Sequence, residues 1–149
     1  MKLSTKGRYG LKAMFELALH YGEGPTPLKN IADSQDISEH YLEQLIAVLR
    51  KSGLVNSVRG AQGGYLLNDS PKNITVGNVI RALEGDIAPA DCVLENEEVN
   101  CDKLNYCVTK TIWMKIRDSI NDVIDSITLQ DMVDEHKEKN EGQGYMYYI

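Results

Sequence analysis

Apolar residues recur along this chain with a helical period for most of its length, and the period changes twice. After Ser4, a good helix N-cap, Leu11, Met14, Phe15, Ala18 and Leu19 fall on one face until Gly22 and Gly24 break the pattern, which predicts a first helix over 4–21. Pro27 suits the first turn of a second helix of about two turns, carrying Leu28, Ile31 and Ala32, and Gln35 and Asp36 make the turn after it. Ser38 caps a third helix. There Leu42, Leu45, Ile46 and Leu49 stand at i, i+3, i+4 and i+7, and the pattern ends at Gly53, where a left-handed cap is expected. Two short β-prone runs follow, 54–58 and 65–67, joined by a stretch from Arg59 to Gly64 whose glycines permit the positive φ angles of a hairpin loop. Thr75 then caps a fourth helix with Val76, Val79, Ile80 and Leu83 on one face and Gly85 at its end.

From Asp86 to about Tyr106 the periodicity disappears, and it returns with Trp113, Ile116, Ile120, Val123 and Ile127 in 3-4-3-4 spacing, flanked by Ile112 and Ile124. A helix with that much apolar surface needs two packing partners. The flanking isoleucines are expected to cover its own domain while the heptad seam meets a second copy, giving a homodimer; a wide core-facing stripe in a monomer is the competing reading. Thr128 and Asp131 suit the cap of a last short helix, and the polar, Gly-containing end from Lys137 is expected to be disordered. The fold class predicted is mostly α with a small β-hairpin wing: a winged helix-turn-helix plus a long dimerisation helix. The divisions are a DNA-binding unit over 1–85, a cysteine-containing sensor loop over 86–108, a dimerisation helix region over 109–136 and a disordered tail over 137–149.

The formal net charge of -6 argues against nucleic acid until its distribution is considered. Residues 1–60 hold eight of the 16 basic residues and six of the 22 acidic ones, a net of +2, which leaves eight basic and sixteen acidic residues beyond. An acidic body behind a basic front would orient that front toward phosphates. No apolar run is long enough to span a bilayer, and the first thirty residues are amphipathic rather than leader-like, so a cytoplasmic protein is expected. No pair of catalytic carboxylates, no Cys with a positioned His and no phosphate-binding glycine loop between a strand and a helix points to an enzyme, and no catalytic residue is assigned.

Two short helices joined by a tight turn, the second followed at once by a Gly-rich hairpin, are in winged helix-turn-helix order. That geometry sends the N-terminal half of the third helix into a major groove, where Ser38, His40, Tyr41, Glu43 and Gln44 reach phosphates or base edges. Gln44 suits adenine, and Arg59 with Gly60 at the wing's root suits a minor groove or the backbone. Glu43 is either a gate that accepts from cytosine and repels other bases, or an exposed helix-face glutamate paired with a nearby base. The three cysteines, Cys92, Cys101 and Cys107, are separated by eight and five residues, which is no zinc-ribbon pattern. Spacing leaves a metal site and three unrelated thiols both open, while the absence of a secretion signal favours reduced thiols.

The stretch Ser4 to Tyr9, Ser38 with Tyr41 to Leu45, Gly53 to Val55, Val58 to Gly60, Gly63 to Leu67 and the cysteines after Ala90 together resemble the IscR-type iron-sulfur regulators of the Rrf-type winged helix-turn-helix family. The resemblance covers Met1 to about Cys92 and resumes over 107–129. It implies a homodimer on a pseudo-palindromic double-stranded operator, and a [2Fe-2S] cluster on Cys92, Cys101 and Cys107, delivered by cluster-donor proteins. The function implied is repression of cluster-biogenesis genes. Relatives supply a histidine three residues after the third cysteine; here Lys110 stands there, with no lone pair to offer at neutral pH. His20, His40 and His136 are distant in sequence, and Asp91, Asp102, Glu95 and Tyr106 are equal alternatives, so the fourth ligand stays open. Nitric-oxide-sensing relatives look to use an acidic residue where Arg8 stands. The alternative within the family is a regulator of cysteine metabolism controlled by a partner protein or thiol redox state, a branch that looks to lack the cysteine triad.

Overall fold

The computed structural model describes residues 2–95 and 106–147, with side chains to residue 141. Helix α1 (Thr5–Leu19) starts where Ser4 Oγ accepts from the Lys6 amide at 3.2 Å. Helix α2 (Leu28–Gln35) starts after Pro27, which occupies the extended N-cap position rather than the first helical one. It ends at Asp36, whose left-handed φ of 58° a short polar side chain tolerates. Helix α3 (Glu39–Lys51) is capped by Ser38, which accepts from the Tyr41 amide at 3.2 Å, and the chain turns at Gly53 with φ 81°. Strands β1 (Val55–Val58) and β2 (Gly64–Leu67) pair antiparallel, Val55 opposite Leu67 and Val58 opposite Gly64. Thr26 bridges Tyr65, so the α1–α2 connection braces the wing with two 2.8 Å backbone bonds. Helix α4 (Val76–Glu84) opens on a reciprocal capping box between Thr75 and Asn78. A 3-10 turn (Asp91–Val93), helix α5 (Val108–Ser126) and helix α6 (Leu129–Tyr147) complete the described chain.

One core joins these elements. Met14 and Leu17 of α1, Ile31 of α2, Leu42, Ile46 and Leu49 of α3, Val55 and Leu67 of the wing, Val79 of α4, and Leu129 and Val133 of α6 are all buried. The i, i+3, i+4, i+7 stripe of α3 is therefore its inner face, which leaves the opposite face to solvent. Helices α1 and α4 approach closely because Gly10 has no side chain; a Cβ there would collide with Leu83.

Three expectations are corrected. First, the segment from Lys137 is helical as far as Tyr147, not a disordered tail. Thr128 and Asp131 form a reciprocal cap at 2.9 and 3.1 Å, buried Leu129 and Val133 anchor the first turns, and the i, i+4 pairs Glu135–Lys139 and His136–Asn140 support the continuation. Second, Ile127 lies beyond α5 in extended backbone, its carbonyl accepting from the Val76 amide at 2.8 Å, so the helical stripe ends at Val123. Third, of the two flanking isoleucines only Ile124 is half-buried, and polar residues make the directional contacts of α5 with its own domain. Arg81 of α4 donates to Asn121 at 2.9 Å and to Asp125, and Arg117 donates to the Val93 carbonyl at 2.9 Å, whereas Ile112 is 48% exposed.

A buried acid ties α1 to α2. Glu16, 6% exposed, accepts from Gln35 Nε2 at 2.8 Å and faces His20 Nε2 at 3.2 Å, while His20 Nδ1 faces Glu23 at 2.7 Å. A neutral imidazole donates from one nitrogen only, so carboxylates at both favour the imidazolium. The His20 pKa is accordingly raised, chiefly by the hydrogen bond to Glu23, with Glu16 adding to it and partial burial opposing. A raised folded-state pKa stabilises fully below the ordinary histidine value and is lost as pH climbs through the raised one. Urea unfolding at pH 6 and pH 9 should therefore show wild type exceeding His20→Gln in stability by a margin that is larger at pH 6 and shrinks by pH 9. A margin equal at both would contradict the imidazolium.

Candidate nucleic-acid interface

The exposed face of α3 carries His40, Glu43 and Gln44, with Ser38 and Glu39 at its start. His40 and Gln44, one turn apart, lie within 3.3 Å through their side-chain nitrogens, which gives the pair a shared orientation on the surface. Glu43 makes no ion pair among the described residues, so its pairing with a nearby base, one of the two readings above, is not the arrangement found. Arg59 and Gly60 are exposed at the hairpin's tip side, beyond Val58.

Tyr41 is placed differently from its neighbours. It is half-buried, packs edge-on against Tyr9 of α1 with centroids 6.1 Å apart, and its hydroxyl lies 2.9 Å from Thr5 Oγ1. Lys12 Nζ sits 5.2 Å from the Tyr9 centroid. The ring thus links the start of α3 to the start of α1, and brings exposed Lys6 and Arg8 to the same end of the molecule as the α3 face. Thr5 and Tyr9 enter the sequence reading only within the stretch Ser4 to Tyr9 and without a role, because the pairing is tertiary; the small residues Gly7 and Gly10 are the available hint of a close neighbour.

Cys92 lies half-buried in the 3-10 turn, next to buried Val93, and Cys107 is the half-buried N-cap of α5, with Sγ 3.0 Å from Thr109 Oγ1. Cys101 and Asp102 lie outside the described residues. Asp91, Glu95 and Tyr106 are exposed beside the two described cysteines in sequence, whereas Lys110 is in the first turn of α5. His136 packs edge-on against Phe15 with centroids 5.3 Å apart and His20 is held by Glu16 and Glu23, so both are engaged elsewhere. Among the described residues no three metal-binding side chains converge, a set that excludes Cys101. The turn bearing Cys92 borders a polar cavity of about 250 Å³ between α4 and α5, walled by Arg81, Arg117, Asn121 and Asp125. Cys92 thus lies in the 3-10 turn of the α4–α5 connection and Cys107 at its α5 end.

The Trp113, Ile116 and Ile120 side chains are half-buried and Val123 is 57% exposed; α5 buries no residue fully.

Comparison with known proteins is consistent along the chain. The Rrf2 family, described as an iron-dependent transcriptional regulator, matches residues 3–135. The regulator CymR of Bacillus subtilis (strain 168) is 50% identical over 149 residues, all of both chains. A solved structure described as CymR (YrzC), the global cysteine regulator of B. subtilis, superposes with TM-score 0.76, covering 91% of this chain and 98% of that one. The regulator IscR of Pectobacterium carotovorum subsp. carotovorum (strain PC1) is 46% identical over 133 residues, 89% of this chain and 79% of its own. The solved structure of T. potens IscR gives TM-score 0.79 at 53% identity, covering 99% of this chain and 97% of that one.

If Arg59 meets a phosphate or a groove edge, Arg59→Ala should weaken duplex binding and flatten the plot of log affinity against log salt by about one unit. Fluorescence anisotropy across a salt series reads both, and an unchanged slope would remove Arg59 from the interface.

Proposed function

Because the chain belongs to the Rrf2 family of iron-dependent transcriptional regulators, we propose that it is a dimeric operator-binding regulator whose DNA affinity answers to an iron-sulfur cluster. The family consists of DNA-binding regulators, and the chain is not an enzyme. No described helix is long and apolar enough to cross a membrane. In this reading the α3 faces of two copies, carrying Ser38, His40, Glu43 and Gln44, enter successive major grooves of a pseudo-palindrome, and Arg59 and Gly60 of each wing flank them. Tyr41 holds the start of α3 against α1. The seam of Trp113, Ile116, Ile120 and Val123 pairs α5 with its counterpart.

Cys92, Cys101 and Cys107 would hold a [2Fe-2S] cluster, a donor set of three thiolates that suits such a group, with a fourth ligand other than Lys110. When bound, the cluster supplies Fe–S bonds that break under oxidation or iron shortage. The protein's own part is mechanical. Arg117 ties the Cys92 turn to α5, and Arg81 ties α4 to α5, so a displacement of that turn would bear on both helices. Repression of cluster-assembly genes in the cytoplasm is the role this supports. The observation that carries the reading is three cysteines in the sequence between α4 and the start of α5 of a winged helix-turn-helix regulator, with Cys92 in the 3-10 turn and Cys107 at the cap of α5.

A second reading has its own support. CymR matches this chain end to end, and Lys110 departs from the histidine of IscR-type ligation, which together favour a regulator of cysteine metabolism controlled by a partner protein or by thiol redox state. Anaerobic reconstitution with iron and sulfide separates them. The cluster reading expects visible absorption that Cys92→Ala abolishes, and an operator affinity that differs at least severalfold between loaded and metal-free protein. Colourless wild-type protein that binds duplex DNA equally with and without iron and sulfide would reject it in favour of the second.

A further inference from the structure

One carboxylate oxygen joins the last residue of α4 to the first turn of α1. Glu84 Oε1 accepts from the Ser4 amide at 3.1 Å, from the Gly7 amide at 3.0 Å and from the Ser4 hydroxyl. Helix N-termini leave amides unpaired and favour a negative partner, so this long-range cap is well matched in charge and geometry. Gly7 makes it accessible, since a Cβ there would stand 2.8 Å from that same oxygen.

The cap is the middle of a continuous series. On one side, α4 is fixed to α5 by Arg81 through Asn121 and Asp125. On the other, Thr5, between the two capped amides, meets the Tyr41 hydroxyl at 2.9 Å in the first turn of α3. These links are directional polar contacts, and among the described residues Glu84 is the side chain that hydrogen-bonds α4 to the start of α1, beside the apolar packing of Leu83 on Gly10.

We propose that Glu84 is a positioning residue for DNA recognition: by capping α1 it sets the Thr5–Tyr41 contact, and through it the seating of the α3 face. The proposal rests on DNA binding by that face and not on the cluster. Charge gives it a distinctive sign. Glu84→Gln removes a negative charge beside the N-terminus of α1, which by electrostatics alone would tighten binding to a polyanion. A positioning role requires the reverse.

The test is a double-mutant cycle on the full chain with Glu84→Gln and Thr5→Val, using a labelled 30-base-pair duplex selected by the wild type from a random library. Each single variant is expected to weaken binding roughly tenfold, and the double variant to bind within about twofold of the weaker single, because both break one series. A merely structural Glu84 would lower the melting temperature and leave the affinity of the folded protein unchanged. That result, tighter binding by Glu84→Gln, or multiplicative effects in the double variant would each overturn the proposal. Should Glu84→Gln fail to fold, Ser4→Ala removes one donor to the same oxygen and is held to the same non-additivity with Thr5→Val. A wild type that selects no duplex would instead overturn the reading of the α3 face, and the proposal with it.

Discussion

Helix α5 sets the constraint on which the rest depends. Its nineteen residues include no fully buried side chain, although Trp113, Ile116, Ile120 and Val123 form an apolar stripe along it. The hydrogen bonds of α5 to the rest of the chain come from Arg117, Asn121 and Asp125, and at 3.6 residues per turn the stripe is centred roughly a third of a turn away from them. Fully covering a large apolar side chain is worth about 1.5–3 kcal/mol, so three that are half-buried and one that is exposed leave part of that driving force unmet. A second copy of the same stripe is the simplest cover, and a two-fold contact of that kind would also fix the separation of two α3 faces.

Helix α4 then becomes the element through which both ends of the protein are held. Arg81 binds it to α5, the packing of Gly10 against Leu83 brings it onto α1, and backbone bonds from Val76 and Ile74 stitch it to the start of α6. The loop bearing the cysteines leaves from the C-terminal end of α4 and returns at the N-terminal end of α5. A small bias suffices at such a joint: coupling free energies of about 1–3 kcal/mol change an affinity roughly 5- to 150-fold. Polar ties such as Arg117 to the Val93 carbonyl are of that order, so the loop need not reorganise the core to be felt at α3.

Much of this architecture was legible in the residues because its determinants are local. Ser4, Ser38 and Thr75 are N-caps in the sequence and in the structure, the α3 stripe is the buried face, and the glycines around Arg59 mark the hairpin. What escaped was tertiary. Period alone assigned Ile127 to α5, yet the Thr128–Asp131 cap starts a new helix one residue later and pulls Ile127 into extended backbone beside Val76. The polar composition after Lys137 looked disordered, whereas pairs one turn apart extend α6. Amphipathicity sends two isoleucines toward the α4 side of α5, whereas Ile112 is exposed, Ile124 is half-buried, and arginine, asparagine and aspartate supply the hydrogen bonds there. The site was legible as residue types, but the brace that half-buries Tyr41 and the cap made by Glu84 involve partners 36 to 80 residues apart, which no window reveals.

The oligomeric state of the purified chain bears most directly on the claim that α5 is completed by a second copy. Sedimentation equilibrium on wild type and on Ile120→Glu, each followed by titration with duplex DNA, should give a dimer for the first and a monomer for the second, with duplex affinity lost alongside the dimer. A wild type that sediments at the mass of one chain and still binds duplex with full affinity would contradict the account.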